Sequence, residues 1–350
     1  IIPDTYLFLN MHSRLRELII SNTKIDEILI FPSRFFPGVS FGYSNLSIIT
    51  LERCDKKTAL EHTFRVIQGF NSSSEFATLL GDEKEYPENL QIFNFKQSDI
   101  LENEQCRVIL AESKTATLLS QSEQKLGDVA DVVTGFYTGD NLRFIRAASK
   151  YVKGAKNYDV VDPTIVTHCT SLYGIPDIEE GYVPYIKSAA KRRYIRQSDE
   201  WFVRWDKPTI EFYKKNKKSR FQNSSFYFKT GIGIPMVKSN TIRAFLMADH
   251  VFDQSIVGIF PKDFSKLYYL LALMNSDTIN DLVHAINPTA NNSSNYIKQL
   301  PYIEPMSDVL EEITGMVKEV IVFESNAEYE NADRLHNEIN AMISLIYSNN

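Results

Sequence analysis

The sequence predicts an α/β protein of 350 residues that is organised in successive parts. The first part alternates short apolar runs with turn residues, as buried strands of a sheet do. The middle part repeats β-like segments in which aromatic and basic residues are interleaved. The last part carries two apolar stripes at helical spacing. We therefore predict a sheet segment over 1–55, a connector over 56–122, a mixed α+β domain over 123–304 and a helical segment over 305–350.

The composition argues against several classes of protein. No apolar run is long enough to span a membrane, and no signal peptide opens the chain. Cys54, Cys106 and Cys169 are widely spaced, without a Cys-x-x-Cys pair, and the histidines form no metal-ligand spacing. The sequence thus predicts a cytoplasmic protein with reduced thiols, no metal site and no membrane partner.

The first part and the connector are predicted from short local patterns. We expect a helix over Met11–Ser21 and buried strands over Ile25–Phe31 and Ser47–Arg53. A further strand is predicted over Leu90–Phe95, and a helix over Cys106–Ser122 leads into the middle part. Between the first two strands lie Phe35, Phe36 and Pro37, and the local pattern alone favours Phe35 and Phe36 as rings that fill the edge of the sheet.

The stretch Lys125–Ile145 is the centre of the middle part. It opens as a turn and a buried strand, and then breaks at Gly135 and again at Thr138-Gly139-Asp140-Asn141. Glycine permits positive φ and close approach of a neighbouring backbone. Asp and Asn cap their own turns, and a polar loop with exposed amides suits contacts to phosphates or base edges. A plain strand–turn–strand connector is the alternative reading.

Charge is segregated along the chain. The segment Tyr182–Arg243 holds fifteen Lys and Arg against four acids, a net charge of +11, whereas the remainder of the chain carries −17. Basic residues interleaved with Tyr and Trp are typical of a nucleic-acid surface. Clusters of Lys and Arg also occur on ordinary solvated surfaces, so the segment alone leaves both interpretations open.

The downstream pattern ends in helices. Lys266–Ser276 is an amphipathic stretch, and a polar loop follows over Asn287–Asn295. Ser307–Tyr347 is predicted to form two helices with a polar break at Ser325-Asn326, and Ser307 is the expected N-cap.

Several of these motifs together resemble the adenine-N6 DNA methyltransferases of the restriction-modification type, including related phage-defence methyltransferases. The similar pieces are KLGDVADVVTGFYTGDNLRFI, the VPYIK strand, the Trp-Phe-Val-Arg-Trp strand, the FKTGI turn, YYLLALMNS and the final Leu-Pro strand. The resemblance implies the tail of a Rossmann-like methyltransferase sheet, a mixed α+β target-recognition domain and a C-terminal helical segment. It also implies double-stranded DNA as partner.

The resemblance assigns expected roles to particular residues. In the family a Phe-Pro pair before the last hairpin stacks on the flipped-out adenine, and Phe36 with Pro37 matches it, with Phe35 as the adjacent alternative. The expected DNA-binding residues are Gly135, Thr138, Gly139, Asp140, Asn141, Lys187, Lys191, Arg192, Arg193, Lys217, Lys218, Arg220, Lys229, Arg243, Asn287, Thr289, Asn291 and Asn292. We expect the basic segment, the Gly135–Asn141 loop and the Asn287–Asn295 loop to form one DNA-facing surface.

The catalytic elements of that family are not found in this sequence. There is no Pro-Pro for the amine-binding loop, and Gly231 and Gly233 lie among β-like segments. We therefore expect that S-adenosylmethionine serves the intact enzyme, that this chain binds none, and that a catalytic domain of the same protein precedes Ile1. Two alternatives stay open: a DNA-specificity subunit of a multi-subunit restriction enzyme, and a non-enzymatic interaction module with a basic face.

Overall fold

The computed structural model describes residues 1–35, 45–72, 74–75, 87–111, 113–237, 241–287 and 292–348. These residues form two compact units, one comprising 1–121 with 284–290 and the other 122–283 with 291–350. Three sheets and both short and long helices are present, which confirms the predicted α/β class and the helical C-terminus. The domain boundaries proposed at 55, 122 and 304 remain predictions.

The first unit is built on one five-stranded sheet. Its strands follow the order β1-β3-β2-β4-β5, in which β2 and β4 are parallel and the other neighbours antiparallel. The elements are β1 (Ile2–Pro3), α1 (Ser13–Asn22), β2 (Thr23–Phe31), β3 (Leu46–Arg53), α2 (Lys56–Glu61), β4 (Thr63–Gln68), β5 (Gln91–Lys96), α3 (Gln97–Glu102) and α4 (Ser113–Gln121).

Two predictions for this unit need correction. The strand at Ser47–Arg53 exists, but only its beginning is buried, and Leu51 is exposed. The helix expected over Cys106–Ser122 is confined to Ser113–Gln121. Residues 107–111 lie outside the helix. There the Val108 amide donates to the Leu7 carbonyl, and the buried Arg107 guanidinium donates to the Phe8 carbonyl. Tertiary hydrogen bonds override the local helical pattern there.

The second unit contains two four-stranded sheets and most of the helices. The elements are α5 (Leu126–Val129), β6 (Ala130–Thr134), α6 (Asn141–Phe144), β7 (Ile145–Ala147), β8 (Tyr182–Ile186), β9 (Trp201–Arg204), α7 (Lys207–Lys215), β10 (Gly231–Pro235), β11 (Phe245–Met247), β12 (Val251–Phe252), β13 (Ile256–Pro261), α8 (Leu267–Asn275), α9 (Asp277–Ile286, whose last three residues are assigned to the first unit), α10 (Ser294–Ile297), α11 (Ser307–Ser325) and α12 (Tyr329–Ser348).

The sheets of this unit have the orders β11-β10-β13-β6 and β12-β8-β9-β7. All pairs are antiparallel except β12 with β8. A largely aromatic core that includes Phe136, Trp201 and Trp205 supports the loops that follow β6 and α7.

The C-terminal helices pack as predicted from their apolar stripes. Helices α11 and α12 lie against each other and against α8, with Ile313, Val317 and Ile339 fully buried. Ser307 is not the N-cap: the helix begins at Ser307, and Met306 precedes it without a capping side-chain hydrogen bond.

Candidate nucleic-acid interface

The two glycines of the central stretch have different structural roles. Gly139 has φ +87°, in the left-handed region that glycine adopts without strain. Gly135 allows a close approach instead, since a Cβ there would lie 1.9 Å from the Phe252 carbonyl oxygen. Both properties were predicted for this stretch, and the structure assigns one to each position.

The loop after β6 is joined to the loop after α7. Tyr137 and Arg220 exchange backbone hydrogen bonds, with the Arg220 amide 2.9 Å from the Tyr137 carbonyl oxygen. The Ser219 hydroxyl donates to the Thr138 carbonyl at 2.7 Å, and the Gln222 amide donates to the Gly135 carbonyl at 3.0 Å. We call the pair of segments 135–141 and 216–222 the paired loops. Their hydrogen bonds make one continuous surface of two stretches far apart in sequence.

Polar side chains inside the paired loops hold the loops in shape. Thr138 is fully buried, and its hydroxyl donates to the Asn141 Oδ1 atom at 2.8 Å. The exposed Asp140 caps helix α6 by accepting from the Arg143 amide at 3.2 Å. Thr138 thus cannot reach a base edge without leaving the core, so we assign it a shaping role. Asp140 and Asn141 remain accessible at the loop tip.

Phe136 connects the paired loops to the aromatic core of the second unit. Its ring is fully buried and packs against the rings of Tyr185, Trp205, Tyr213, Phe221 and Tyr227, with centroid separations between 5.2 and 6.0 Å. Edge and tilted arrangements of this kind add to the energy of apolar burial. The paired loops are therefore packed against the aromatic core through Phe136.

The paired loops carry exposed cations. Lys217, Lys218 and Arg220 are all exposed on the second segment. Arg143, which was not singled out from the sequence, is also exposed in helix α6, and its guanidinium lies 4.7 Å from the Phe144 ring centroid and 5.1 Å from that of Phe212. Arg143 lies near the loop tip because it belongs to helix α6, which follows the loop directly. The helix has only four residues, so the sequence shows no helical periodicity that would have predicted it.

Other cations of the basic segment have different neighbours. Lys191, Arg192, Arg193 and Arg243 line a cavity together with residues of α11 and α12. Arg192 binds Glu324 and Asp333, so its donors are already used within the protein. Arg192 is accordingly left out of the phosphate contacts proposed below. By their neighbours the cations of the basic segment fall into groups, and the single DNA-facing surface expected from the sequence stays a prediction.

Lys187 marks a third group. Its ammonium lies 4.8 Å from the Trp201 ring centroid and 5.0 Å from that of Tyr158, which are cation–π contacts. Tyr158 closes a loop that follows β7 and bears the exposed Lys150, Lys153 and Lys156. Tyr151 on the same loop is 99% exposed. The charge pattern of the sequence did not reveal this basic loop, because the loop precedes the segment over which charge was counted.

The remaining predicted site residues are placed as follows. Lys229 is exposed, with its ammonium 5.4 Å from the Phe226 ring centroid. The side chains of Asn287 and Asn292 are buried and therefore do not present a free surface for base reading. The backbone N–H of Asn292 donates to the Met236 carbonyl at 2.6 Å, and its side-chain amide donates to the Pro235 carbonyl at 3.4 Å. Phe36, Pro37, Thr289 and Asn291 lie outside the described residues.

The adjacent alternative, Phe35, is described and only partly buried. It packs against Phe31, with ring centroids 6.3 Å apart, and under the Arg34 guanidinium. Its ring is therefore engaged at least in part by its own unit.

Gly231 and Gly233 do not fit a cofactor-binding turn. Both lie within strand β10, where a Cβ at Gly231 would meet the Phe260 ring and one at Gly233 would meet the Phe245 ring. The absence of side chains at these positions makes room for aromatic packing. Within the described ranges, His, Cys, Asp and Glu form no group that could hold a metal ion, and no helix is long and apolar enough to cross a membrane.

Of the comparisons with known proteins, only the one with solved structures found a match, and it shows a similar fold. No family model and no curated protein matches the sequence. Among solved structures, the chain is similar to the type IIL restriction-modification enzyme MmeI, determined in complex with DNA, with 12% identity, a TM-score of 0.52, and coverage of 96% of this chain and 45% of that one. A second match is the type IIG restriction endonuclease BpuSI, with 13% identity, a TM-score of 0.35, and coverage of 98% and 46%.

The chain spans a little under half the length of these two enzymes. The likeness to MmeI relates the fold of this chain to that of part of a restriction-modification enzyme.

Proposed function

We propose that this chain is the DNA-reading part of a restriction-modification enzyme, and that the paired loops are its main DNA contact. One observation carries the proposal: the tertiary fold joins the polar Gly135–Asn141 loop to exposed Lys217, Lys218 and Arg220. Cations beside a polar loop tip combine phosphate contacts, which position a protein on a duplex, with amides that can reach base edges. The likeness of fold to MmeI, described in complex with DNA, supports it.

The finer proposal is that the intact enzyme transfers a methyl group to the amino group of adenine. S-adenosylmethionine would then be bound by a catalytic domain elsewhere in the same protein, and Phe36 would stack on the extruded base with Pro37 fixing its loop. Incubation of this chain with labelled S-adenosylmethionine and duplex DNA should transfer no label. Labelled adenine would overturn the proposal that S-adenosylmethionine is bound by a catalytic domain elsewhere in the same protein.

The DNA contact is tested by the salt dependence of binding. Neutralising Lys217, Lys218 and Arg220 to Gln together should reduce the slope of log affinity against log salt by up to about 2.7, at about 0.9 for each phosphate that the variant no longer neutralises. The matched control is the triple change of Arg14, Lys56 and Lys57 to Gln, which are exposed in the first unit and alter net charge equally. Binding to duplex DNA should be measured at several salt concentrations.

The outcomes separate the alternatives. A smaller slope only in the paired-loop variant supports DNA reading by this surface. The interaction module with a basic face would be favoured if both triple variants and the unchanged chain had equal slopes. It would also be favoured if the affinity for DNA did not change with salt concentration. Asn141→Ala tests base reading separately, since it should relax sequence preference without altering the salt slope. Because Asn141 also accepts from the Thr138 hydroxyl, the control is Thr138→Val, which removes that hydrogen bond and keeps the Asn141 amide.

A further inference from the structure

A cavity of about 100 Å³ lies between the segment Lys191–Tyr194 and the C-terminal helices. One water needs only roughly 10–15 Å³ of such space, so the cavity has room for a small polyatomic ligand. Its lining is dominated by charged groups, among them Arg193, Arg243 and Asp333. None of this cavity is used by the paired loops.

The cavity has an excess of positive charge. Four cationic side chains line it, against the two carboxylates of Glu324 and Asp333. Both carboxylates bind Arg192, with Nη2 at 2.8 Å from Glu324 and 2.7 Å from Asp333. Lys191, Arg193 and Arg243 are therefore not neutralised by the acids of the lining. Lys191 does contact Glu200 at 3.0 Å, but its side chain is 80% exposed, and such surface pairs are weak.

A donor in this cavity lacks an acceptor. The Nε atom of Arg193 is buried and has no hydrogen-bond partner among the described residues. The Nη1 atom of Arg243 donates to the Lys191 carbonyl at 3.2 Å. Buried polar atoms are rarely left unpaired in folded proteins, so the unpaired Nε of a side chain that lines an open space points to a missing acceptor.

We propose that this cavity binds one phosphate group, held by Arg193 and Arg243 with Lys191 at its rim. A phosphate supplies several charged acceptor oxygens, and the planar guanidinium donates to such groups through two nitrogens at once. His336, which also lines the cavity, is hydrogen-bonded to the Tyr194 hydroxyl at 2.8 Å. The site goes beyond the proposed DNA-reading surface, because it lies against the C-terminal helices and does not depend on the paired loops.

The test is a calorimetric titration of the full chain with inorganic phosphate at neutral pH. Saturable binding of one equivalent is expected. Arg193→Gln should weaken it about tenfold, or about 1.4 kcal/mol. The matched control is Arg334→Gln, an exposed arginine on the same helix as His336 that does not line the cavity. Arg243→Gln, at an exposed position, repeats the test if Arg193→Gln fails to fold.

Addition of duplex DNA distinguishes the source of the phosphate. If DNA displaces inorganic phosphate and Arg193→Gln weakens DNA binding, the group belongs to the DNA backbone. If phosphate still binds with DNA present, the cavity takes a free phosphate-bearing molecule. Both outcomes support the site. No saturable binding, or equal binding by the unchanged chain and Arg193→Gln, would overturn it, whatever the triple variant of the paired loops shows.

Discussion

Arg192 binds the buried carboxylate of Glu324 through two nitrogens, Nε at 3.0 Å and Nη2 at 2.8 Å. Glu324 is only 2% exposed on its side chain, whereas Arg192 is 29% exposed. The hydrogen bonds from Arg192 to Glu324 raise the pKa of the Arg192 guanidinium above its usual range. The pair connects the segment before β9 to the end of α11, 132 residues further along the chain.

The first prediction concerns this pair. Arg192→Gln leaves Glu324 buried without a counter-charge, so the free energy of unfolding should fall by about 3 kcal/mol. Glu324→Gln in the same chain should recover part of the loss, because it removes the uncompensated charge. Thermal unfolding of both single variants and the double variant gives the coupling energy. Additive losses would mean that the pair contributes nothing of its own.

The second prediction is a pH dependence from His336. Burial, with the nearby Arg193 guanidinium, lowers the pKa of this imidazole to about 4 from 6.5. As the pH falls, His336 is protonated first in the unfolded chain, because its pKa is higher there than in the folded chain. The free energy of unfolding should therefore fall between about pH 6.5 and pH 4, by up to about 1.4 kcal/mol per pH unit. His336→Gln should remove this contribution, whereas His12→Gln in the other unit should keep it. An unchanged slope in His336→Gln would refute the assignment.

The third prediction concerns the ring beneath the paired loops. Phe136→Ala deletes a fully buried ring with five aromatic neighbours and should lower the free energy of unfolding by about 3–5 kcal/mol. Phe264→Ala is the control, because that ring is 61% exposed and its removal should cost little. Chemical denaturation measures both. Similar decreases in the two variants would contradict the role of Phe136 as an anchor.

The fourth prediction uses two glycines with nearly the same backbone. Gly139 and Gly154 have φ of +87° and +85°. A Cβ at Gly139 would lie 2.8 Å from the Ser219 Oγ atom, whereas one at Gly154 meets nothing within 4 Å. Gly154→Ala should cost about 1–2 kcal/mol for the backbone alone.

Gly139→Ala should cost more than Gly154→Ala, and should also weaken DNA binding because it separates the paired loops. The difference in unfolding free energy between the two variants isolates the close approach of the loops. If both variants are destabilised equally and bind DNA equally, the close approach to Ser219 is dispensable.

The fifth prediction rests on the proposed DNA binding. Tyr151 is almost fully exposed on the basic loop with Lys150, Lys153 and Lys156, so we expect its ring to stack on a base that is unpaired or extruded from the duplex. Tyr151→Ala should weaken DNA binding by about 1–3 kcal/mol. Tyr151→Phe keeps the ring and should bind as the unchanged chain does. A decrease in Tyr151→Phe equal to that in Tyr151→Ala would instead assign the effect to the hydroxyl.

The sequence by itself determined the elements whose pattern is local. The apolar stripes of α11 and α12 and the strand at Ala130–Thr134 were predicted because burial on one face leaves a periodic trace in the residues. The breaks at Gly135 and Gly139 were predicted because glycine permits positive φ and close approach of a neighbouring backbone. The fold class followed from the order of these elements. The resemblance to DNA methyltransferases then led to a DNA partner, which remains a proposal.

Only the tertiary structure decided which cations share a surface. Arg192 and Lys217 look alike in a basic segment, yet Arg192 binds Glu324 while Lys217 stands exposed on the paired loops. Thr138 looks like a loop residue that is free to touch a ligand, but it is fully buried, and its carbonyl accepts from the hydroxyl of Ser219, 81 residues away. Pairing between distant residues leaves no periodic trace in one sequence, because the partner is selected by packing and desolvation in the folded chain.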